Sequence, residues 1–215
     1  MSQATRYHHR WVSLWQKIGA PSSPERAYAD LRTRYAEPHR AYHTFDHIEH
    51  CLDELDRGGH QADDVCAVEL ALWYHDAIYD PRARNNEEQS AFFALKAARN
   101  TSRPAHFWDH VRCLILATRH DSVPSDKNTQ VVVDIDLAIL GQPEPRFDEY
   151  ERGIRKEYAW VSEVDFVRAR GAILQSFLDR PAIYTTPYFQ DRYERQARLN
   201  VARSLERLRH GLLKT

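Results

Sequence analysis

Glycine is scarce in this 215-residue chain, with 7 copies, and proline numbers 10, so long elements should outnumber tight turns. Cysteine is scarcer. Cys51, Cys66 and Cys113 are odd in number, widely spaced, and form no C-x-x-C pair, which argues against a disulfide framework. Each sits in an apolar helical context, where a free thiol behaves as a small buried hydrophobe. Neither sign of charge prevails: 30 Lys and Arg face 31 Asp and Glu, for a net charge of −1. That balance lacks the cationic surplus on which nucleic-acid affinity rests, so nucleic acid is not an expected partner. No stretch approaches the ~18–20 apolar residues of a membrane span, and the first thirty residues hold no apolar h-region. The expectation is a cytoplasmic, soluble protein with no membrane partner.

What is present is a core. Apolar residues make up 42% of the chain and charged residues 28%, a balance that excludes intrinsic disorder. Five Trp, eleven Tyr and eight Phe make that core bulky. Tyr7, Trp11, Leu14, Trp15 and Ile18 recur at helical steps over 6–19, closed by Gly19 and Pro21. Pro24 suits the first turn of a second helix through Ala36. Further helices are predicted over 45–57, 63–79, from Asn86 to before Pro104, over 105–119, 129–140, 146–160, 163–179 and 187–212, the last with Leu212 on its apolar stripe. The best strand candidate, Val131-Val132-Val133, merges into a helical pattern. With no repeat and no polar linker, the reading is an all-α, single-domain helical bundle over 1–215.

Ionisable residues trapped in apolar segments carry the chemistry, because burying them unpaired is expensive. The run from Val65 to Tyr74 holds one polar residue, Glu69, and then delivers His75-Asp76. Adjacent helical side chains diverge by about 100°, so the two cannot pair well, yet both can reach one cation off the helix shoulder. A second source is Tyr42-His43-Thr44-Phe45-Asp46-His47-Ile48-Glu49-His50, with three imidazoles in eight residues at a helix entry. A third is the segment from Val131 to Leu140. There Asp136 has Val132, Val133, Ile139 and Leu140 as helical neighbours, whereas Asp134 has Gln130 and Ala138 and is expected nearer an edge. Asp136 is the stronger ligand candidate.

The order His47, His75-Asp76, Asp136 resembles that of the HD superfamily of metal-dependent phosphohydrolases. The chain is most similar to small bacterial proteins described as predicted HD-superfamily phosphohydrolases. The shared signals are Tyr42-His43-x-x-x-His47-Ile48, His75-Asp76-x-x-Tyr79, Asn86-Glu87-x-x-Ser90-Ala91 and Asp134-x-Asp136-Leu137-x-Ile139-Leu140-Gly141. Ile183-Tyr184 and Glu194-x-x-Ala197-Arg198-x-Asn200 extend the match, so it covers residues 40–200. The resemblance implies an HD-type helical fold and a divalent ion held by His47, His75, Asp76 and Asp136. Two imidazoles and two carboxylates suit Mn²⁺, Fe²⁺, Co²⁺, Ni²⁺ or Zn²⁺ better than Ca²⁺. It also implies hydrolysis of a phosphoester or phosphoanhydride of a small phosphorylated metabolite, nucleotides included.

Within that reading Asp76 both binds the ion and orients the attacking water or accepts its proton. His43 resembles the first histidine of the His-x-x-x-His in cyclic-nucleotide phosphodiesterases, which implies a general acid. His120, in a second His-Asp pair, is a candidate for a second ion or a substrate phosphate, or else a polar helix end. Glu87 is a candidate behind the ligands or at a helix start. Arg84, Arg119, Arg155 and Arg198 are candidate phosphate clamps, with pairing to Glu194 the alternative for Arg198. The remaining histidines read as surface or capping residues. A catalytically silent fold of the same type, used for ligand binding or signalling, is the alternative function; homo-oligomer formation stays open.

Overall fold

The computed structural model describes residues 3–20, 23–98 and 101–211; Pro21 and Leu212 lie outside them. Among the described residues the protein is a bundle of ten α-helices with no strand: α1 Gln3–Lys17, α2 Pro24–Tyr35, α3 Phe45–Gly58, α4 Val65–Tyr74, α5 Asn86–Ala98, α6 Ala105–Ala117, α7 Lys127–Asp136, α8 Glu144–Glu157, α9 Glu163–Leu178 and α10 Pro187–Arg209. Val131 to Val133 are helical, as part of α7. No described helix is long and apolar enough to cross a membrane.

α4 is the axis of the bundle. Ala67 to Tyr74 are all buried, because α1, α3, α5, α6 and α7 surround it. Its start is pinned twice: Asp64 accepts from the Ala67 N–H at 3.0 Å, and Asn128 of α7 accepts from the Asp63 and Asp64 N–H groups at 2.8 Å. Trp73 meets Trp11 of α1 edge to face at 5.2 Å, and its carbonyl accepts from the Tyr35 hydroxyl at 3.0 Å. Truncating so buried a ring costs about 3–5 kcal/mol in typical cores.

Two helix ends differ from the sequence expectation, and both differences shape the site. α4 stops at Tyr74 rather than continuing to Tyr79. In a continuing helix the Ala77 carbonyl would need the N–H of residue 81, which is a proline and has none. The buried Arg40 guanidinium supplies the donors instead, to Asp76 O at 2.7 Å and Ala77 O at 3.1 Å. α7 likewise stops at Asp136 and tightens into a 3₁₀ segment, Leu137–Gly141. Its carbonyls are held from outside, Leu137 O by the Tyr184 hydroxyl at 2.9 Å and Leu140 O by Asn200 Nδ2 at 2.8 Å. This tight segment packs on α8 and α10.

The segment before α3 lies against α8 at Gly153. A Cβ there would sit 2.9 Å from Tyr42 Cβ and 3.3 Å from Ala41 O, so only glycine permits the approach. That contact sets the depth at which residues 41–43 lie.

Candidate metal centre

Three helix ends converge at one point. His47 lies in the first turn of α3, His75 and Asp76 follow the last residue of α4, and Asp136 is the last residue of α7. His47 Nε2 and His75 Nε2 are 3.1 Å apart. His47 Nε2 is 3.4 Å from Asp76 Oδ2 and 3.2 Å from Asp136 Oδ1. His75 Nε2 is 3.1 Å and 3.5 Å from the same two oxygens. Donors bound at about 2.1 Å to one ion stand about 3.0 Å apart across a right angle and about 3.4 Å apart across a tetrahedral angle. The observed separations fall on those values.

The imidazoles are presented correctly for coordination. The His75 Nδ1–H donates to Leu72 O at 3.0 Å, which turns Nε2 toward the cluster as the nitrogen that could meet an ion. Both histidines are buried, while the Asp76 and Asp136 side chains keep an edge open to a cavity. Burial opposes charge on Asp76 and Asp136, but the imidazoles beside them hold both carboxyls well below the usual carboxylate range. Cys51, expected only as a buried hydrophobe, also belongs here. His47, Cys51, His75 and Asp136 each offer a ligand atom within 4.8 Å of the others, a buried group that could hold a metal ion. Cys51 Sγ lies 3.7 Å from His47 Nε2 and 3.8 Å from Nδ1, beside the ring rather than ahead of one nitrogen.

His50, one turn beyond His47, is not part of the cluster. Its Nε2 lies 3.7 Å from Glu54, and burial, with His47, Arg146 and Arg57 nearby, pushes its pKa down to about 3. Asp134 also departs from expectation. It reaches no edge: it is fully buried and accepts from the backbone and hydroxyl groups of Thr185 and Thr186 at 2.7–3.1 Å. The partners come from the loop before α10, which local helical neighbours do not record.

His43 stands beside the cluster and lines the cavity. Its Nδ1 is 2.7 Å from Glu157 Oε2, a carboxylate with no solvent exposure. The Tyr79 hydroxyl donates to the same oxygen at 2.9 Å, and the Tyr79 ring stacks on His43 at 4.2 Å. Oε1 accepts three backbone N–H groups, from Ala41 and Tyr42 at 2.8 Å and His43 at 2.9 Å. Burial alone would raise the Glu157 pKa; His43 and these donors bring it down to about 2. Glu157 was not among the sequence candidates. The available signal was its helical spacing of three and four from Ile154 and Gly153, the inward face of α8.

The cavity encloses about 720 Å³. Leu140, Tyr150, Ile154, Phe166 and Phe177 give it an apolar side. Arg84 and Arg119 line it, as does Arg180, which was not singled out from the sequence. Arg119 pairs with Glu88 and, at 3.5 Å, with Glu87. His120 Nε2 is 2.9 Å from the outer oxygen of Asp136, and its φ of 61° is left-handed, uncommon for a residue with a Cβ. Arg155 and Arg198 do not line this cavity. Arg155 donates to Tyr158 O at 2.7 Å and Val161 O at 3.4 Å, closing the end of α8. Arg198 pairs with Glu194 at 2.7 Å and donates to the carbonyls of Leu178, Arg180 and Pro181. Both guanidiniums are occupied by backbone.

No protein-family model, no curated protein and no solved structure matches this chain.

Proposed function

We propose that the protein is a divalent-metal-dependent phosphohydrolase of the HD type, acting on a small phosphorylated metabolite. One observation carries the reading: at the floor of an open cavity His47 Nε2 and His75 Nε2 stand 3.1 Å apart, and each lies 3.1–3.5 Å from one carboxylate oxygen of Asp76 and one of Asp136. Asp76 is the fourth donor in preference to Cys51, because Cys51 lies beside the His47 ring. The donor set suits Mn²⁺, Fe²⁺, Co²⁺, Ni²⁺ or Zn²⁺.

When bound, the ion supplies Lewis acidity, polarising a phosphoryl oxygen and lowering the pKa of water at the site. The chain's own groups do the rest. Asp76, open on one edge, accepts the proton of the attacking water, and Arg84 and Arg119 draw phosphate oxygens into the cavity. His43, on the cavity wall, donates a proton to the departing oxygen.

The test pairs elemental analysis with phosphate release from a panel of phosphoesters and phosphoanhydrides under each metal. The reading expects a bound or loadable transition ion and metal-dependent turnover of at least one compound. A protein that binds no ion under any loading condition contradicts it. Tight retention of a nucleotide without turnover favours the silent, ligand-binding alternative.

A further inference from the structure

We propose that Glu157 is a positioning residue that aims His43 as the proton donor to the leaving oxygen, and that the site is therefore matched to phosphate esters of alcohols rather than to phosphoanhydrides. The proposal rests on the phosphohydrolase reading and narrows its substrate class.

The geometry is over-determined in a way a merely structural glutamate would not require. One oxygen of Glu157 is saturated by the N–H groups of three consecutive residues, 41 to 43, at 2.8–2.9 Å. The other is shared by the His43 imidazole at 2.7 Å and the Tyr79 hydroxyl at 2.9 Å. The carboxylate cannot rotate without losing several of these bonds. The imidazole is fixed as firmly: Nδ1–H is committed to Glu157, Tyr79 stacks on the ring at 4.2 Å, and Arg40 holds the His43 carbonyl at 2.9 Å. Gly153 admits the Tyr42 backbone to the surface of α8, which brings the three N–H groups onto Glu157 one turn later. The one free edge of the imidazole is Nε2, on a residue that lines the cavity beside Asp76.

A carboxylate on Nδ1 fixes the orientation of the ring, and Nε2 is then the atom from which the protonated imidazole donates. The step is then balanced. Water attacks phosphorus and gives a proton to Asp76; the bond from phosphorus to the ester oxygen breaks. Its electron pair goes to that oxygen, which takes the Nε2 proton of His43 and leaves as the alcohol. Inorganic phosphate remains, and the proton on Asp76 returns through solvent to His43.

Such a donor matters only where the leaving group is basic. An alkoxide is nearly as basic as hydroxide, whose conjugate acid has a pKa of about 15.7. A phosphate leaving from an anhydride is a far weaker base than an alkoxide and departs with far less help. A chain that devotes a buried carboxylate, a tyrosine and three backbone donors to this proton is built for esters.

The experiment compares ethyl phosphate, phenyl phosphate, p-nitrophenyl phosphate and pyrophosphate on the metal-loaded protein and on Glu157→Gln. The wild type should turn over ethyl phosphate faster than pyrophosphate. Glu157→Gln should lower kcat on ethyl phosphate by about 100-fold, with a loss under about 10-fold on p-nitrophenyl phosphate and little change in KM. Should Glu157→Gln not fold, His43→Asn gives the same comparison. Equal losses across the series, or a wild type that prefers pyrophosphate, overturn the proposal while leaving a phosphohydrolase standing. Absence of metal-dependent phosphate release from every compound removes the underlying reading instead.

Discussion

Asp134 and Asp136 stand two residues apart on α7 and face opposite ways: Asp136 Oδ1 lies 3.2 Å from His47 Nε2, while Asp134 is locked onto Thr185 and Thr186. A separation of about 200° around a helix produces that division. One aspartate belongs to the candidate metal centre, and the other ties α7 to the loop that starts α10.

Substituting each with asparagine should therefore give opposite phenotypes. Asp136→Asn should keep the fold and weaken metal binding by at least about 100-fold, since it removes a charged ligand. Asp134→Asn should retain the ion but turn an amide N–H toward the Thr185 and Thr186 backbone N–H groups, which only donate, at a cost of about 2–3 kcal/mol. At roughly 2–4 °C per kcal/mol, thermal unfolding should register a drop of about 5–10 °C. Metal content and Tm measured on both variants decide the matter. A metal-free Asp134→Asn beside a metal-replete Asp136→Asn would reverse the assignment.

Arg40 joins the two segments that carry His43 and Asp76, donating to the His43 carbonyl at 2.9 Å and the Asp76 carbonyl at 2.7 Å. Both come from Nη1, while Nη2 donates to the Ala77 carbonyl and to Glu37, each at 3.1 Å; a single ammonium does not reproduce that spread over two nitrogens. Arg40→Lys should cost about 3 kcal/mol or more, because it leaves buried carbonyls without donors. It should also lower turnover about 100-fold, the usual penalty for misplacing catalytic groups by about 1 Å. Denaturation and steady-state kinetics on one preparation test both parts. A variant as stable and active as wild type would show that the strap is dispensable.

A bound ion should stabilise the native state by mass action, by about 2.7 kcal/mol at a concentration 100 times its Kd. Chelation should then lower Tm by about 5–10 °C, reversibly on adding the ion back. Asp136→Asn should show no such shift. A wild type whose Tm ignores chelator after verified metal loading would argue that the cluster contributes nothing to the fold.

His75, Asp76 and Asp136 are legible as candidates in the sequence because each is an ionisable residue within or at the end of an apolar segment. The run from Val65 to Tyr74 could not bury His75 and Asp76 without a partner, and that demand needs no coordinates to read. Asp134 escapes the same logic. Its neighbours along the helix, Gln130 and Ala138, suggest an edge, while its partners lie about fifty residues downstream. Glu157 is hidden by its company, since Arg155 and Lys156 make the segment look solvated. Arg155 and Arg198 mislead for the converse reason: a guanidinium that caps nearby carbonyls looks, in sequence, like one that awaits a phosphate. Helix ends are lost where the stop depends on a distant donor, as Arg40 ends α4. The all-helical bundle was readable throughout, because periodicity is local.

Glu157 also sets an acid limit on the fold. Its pKa falls from an ordinary 4.5 to about 2, so it contributes stability that is complete above pH 4.5 and lost as pH drops toward 2. The shift is worth roughly 3 kcal/mol. The titratable groups facing it are His43, Tyr79 and Tyr158. Unfolding free energies of wild type and Glu157→Gln, followed from pH 6 to pH 2, should converge at the acid end. A gap between them that stays constant across that range would mean the glutamate contributes no acid-linked stability.

The central claim is that His47, His75, Asp76 and Asp136 hold an ion that the protein uses on phosphate compounds. It is tested most directly by metal-dependent phosphate release from the purified protein, measured beside metal content in wild type and His75→Ala. The account predicts turnover that follows the bound ion in wild type and vanishes with it in His75→Ala. Phosphate release at an undiminished rate from metal-free protein, or from His75→Ala, would contradict it.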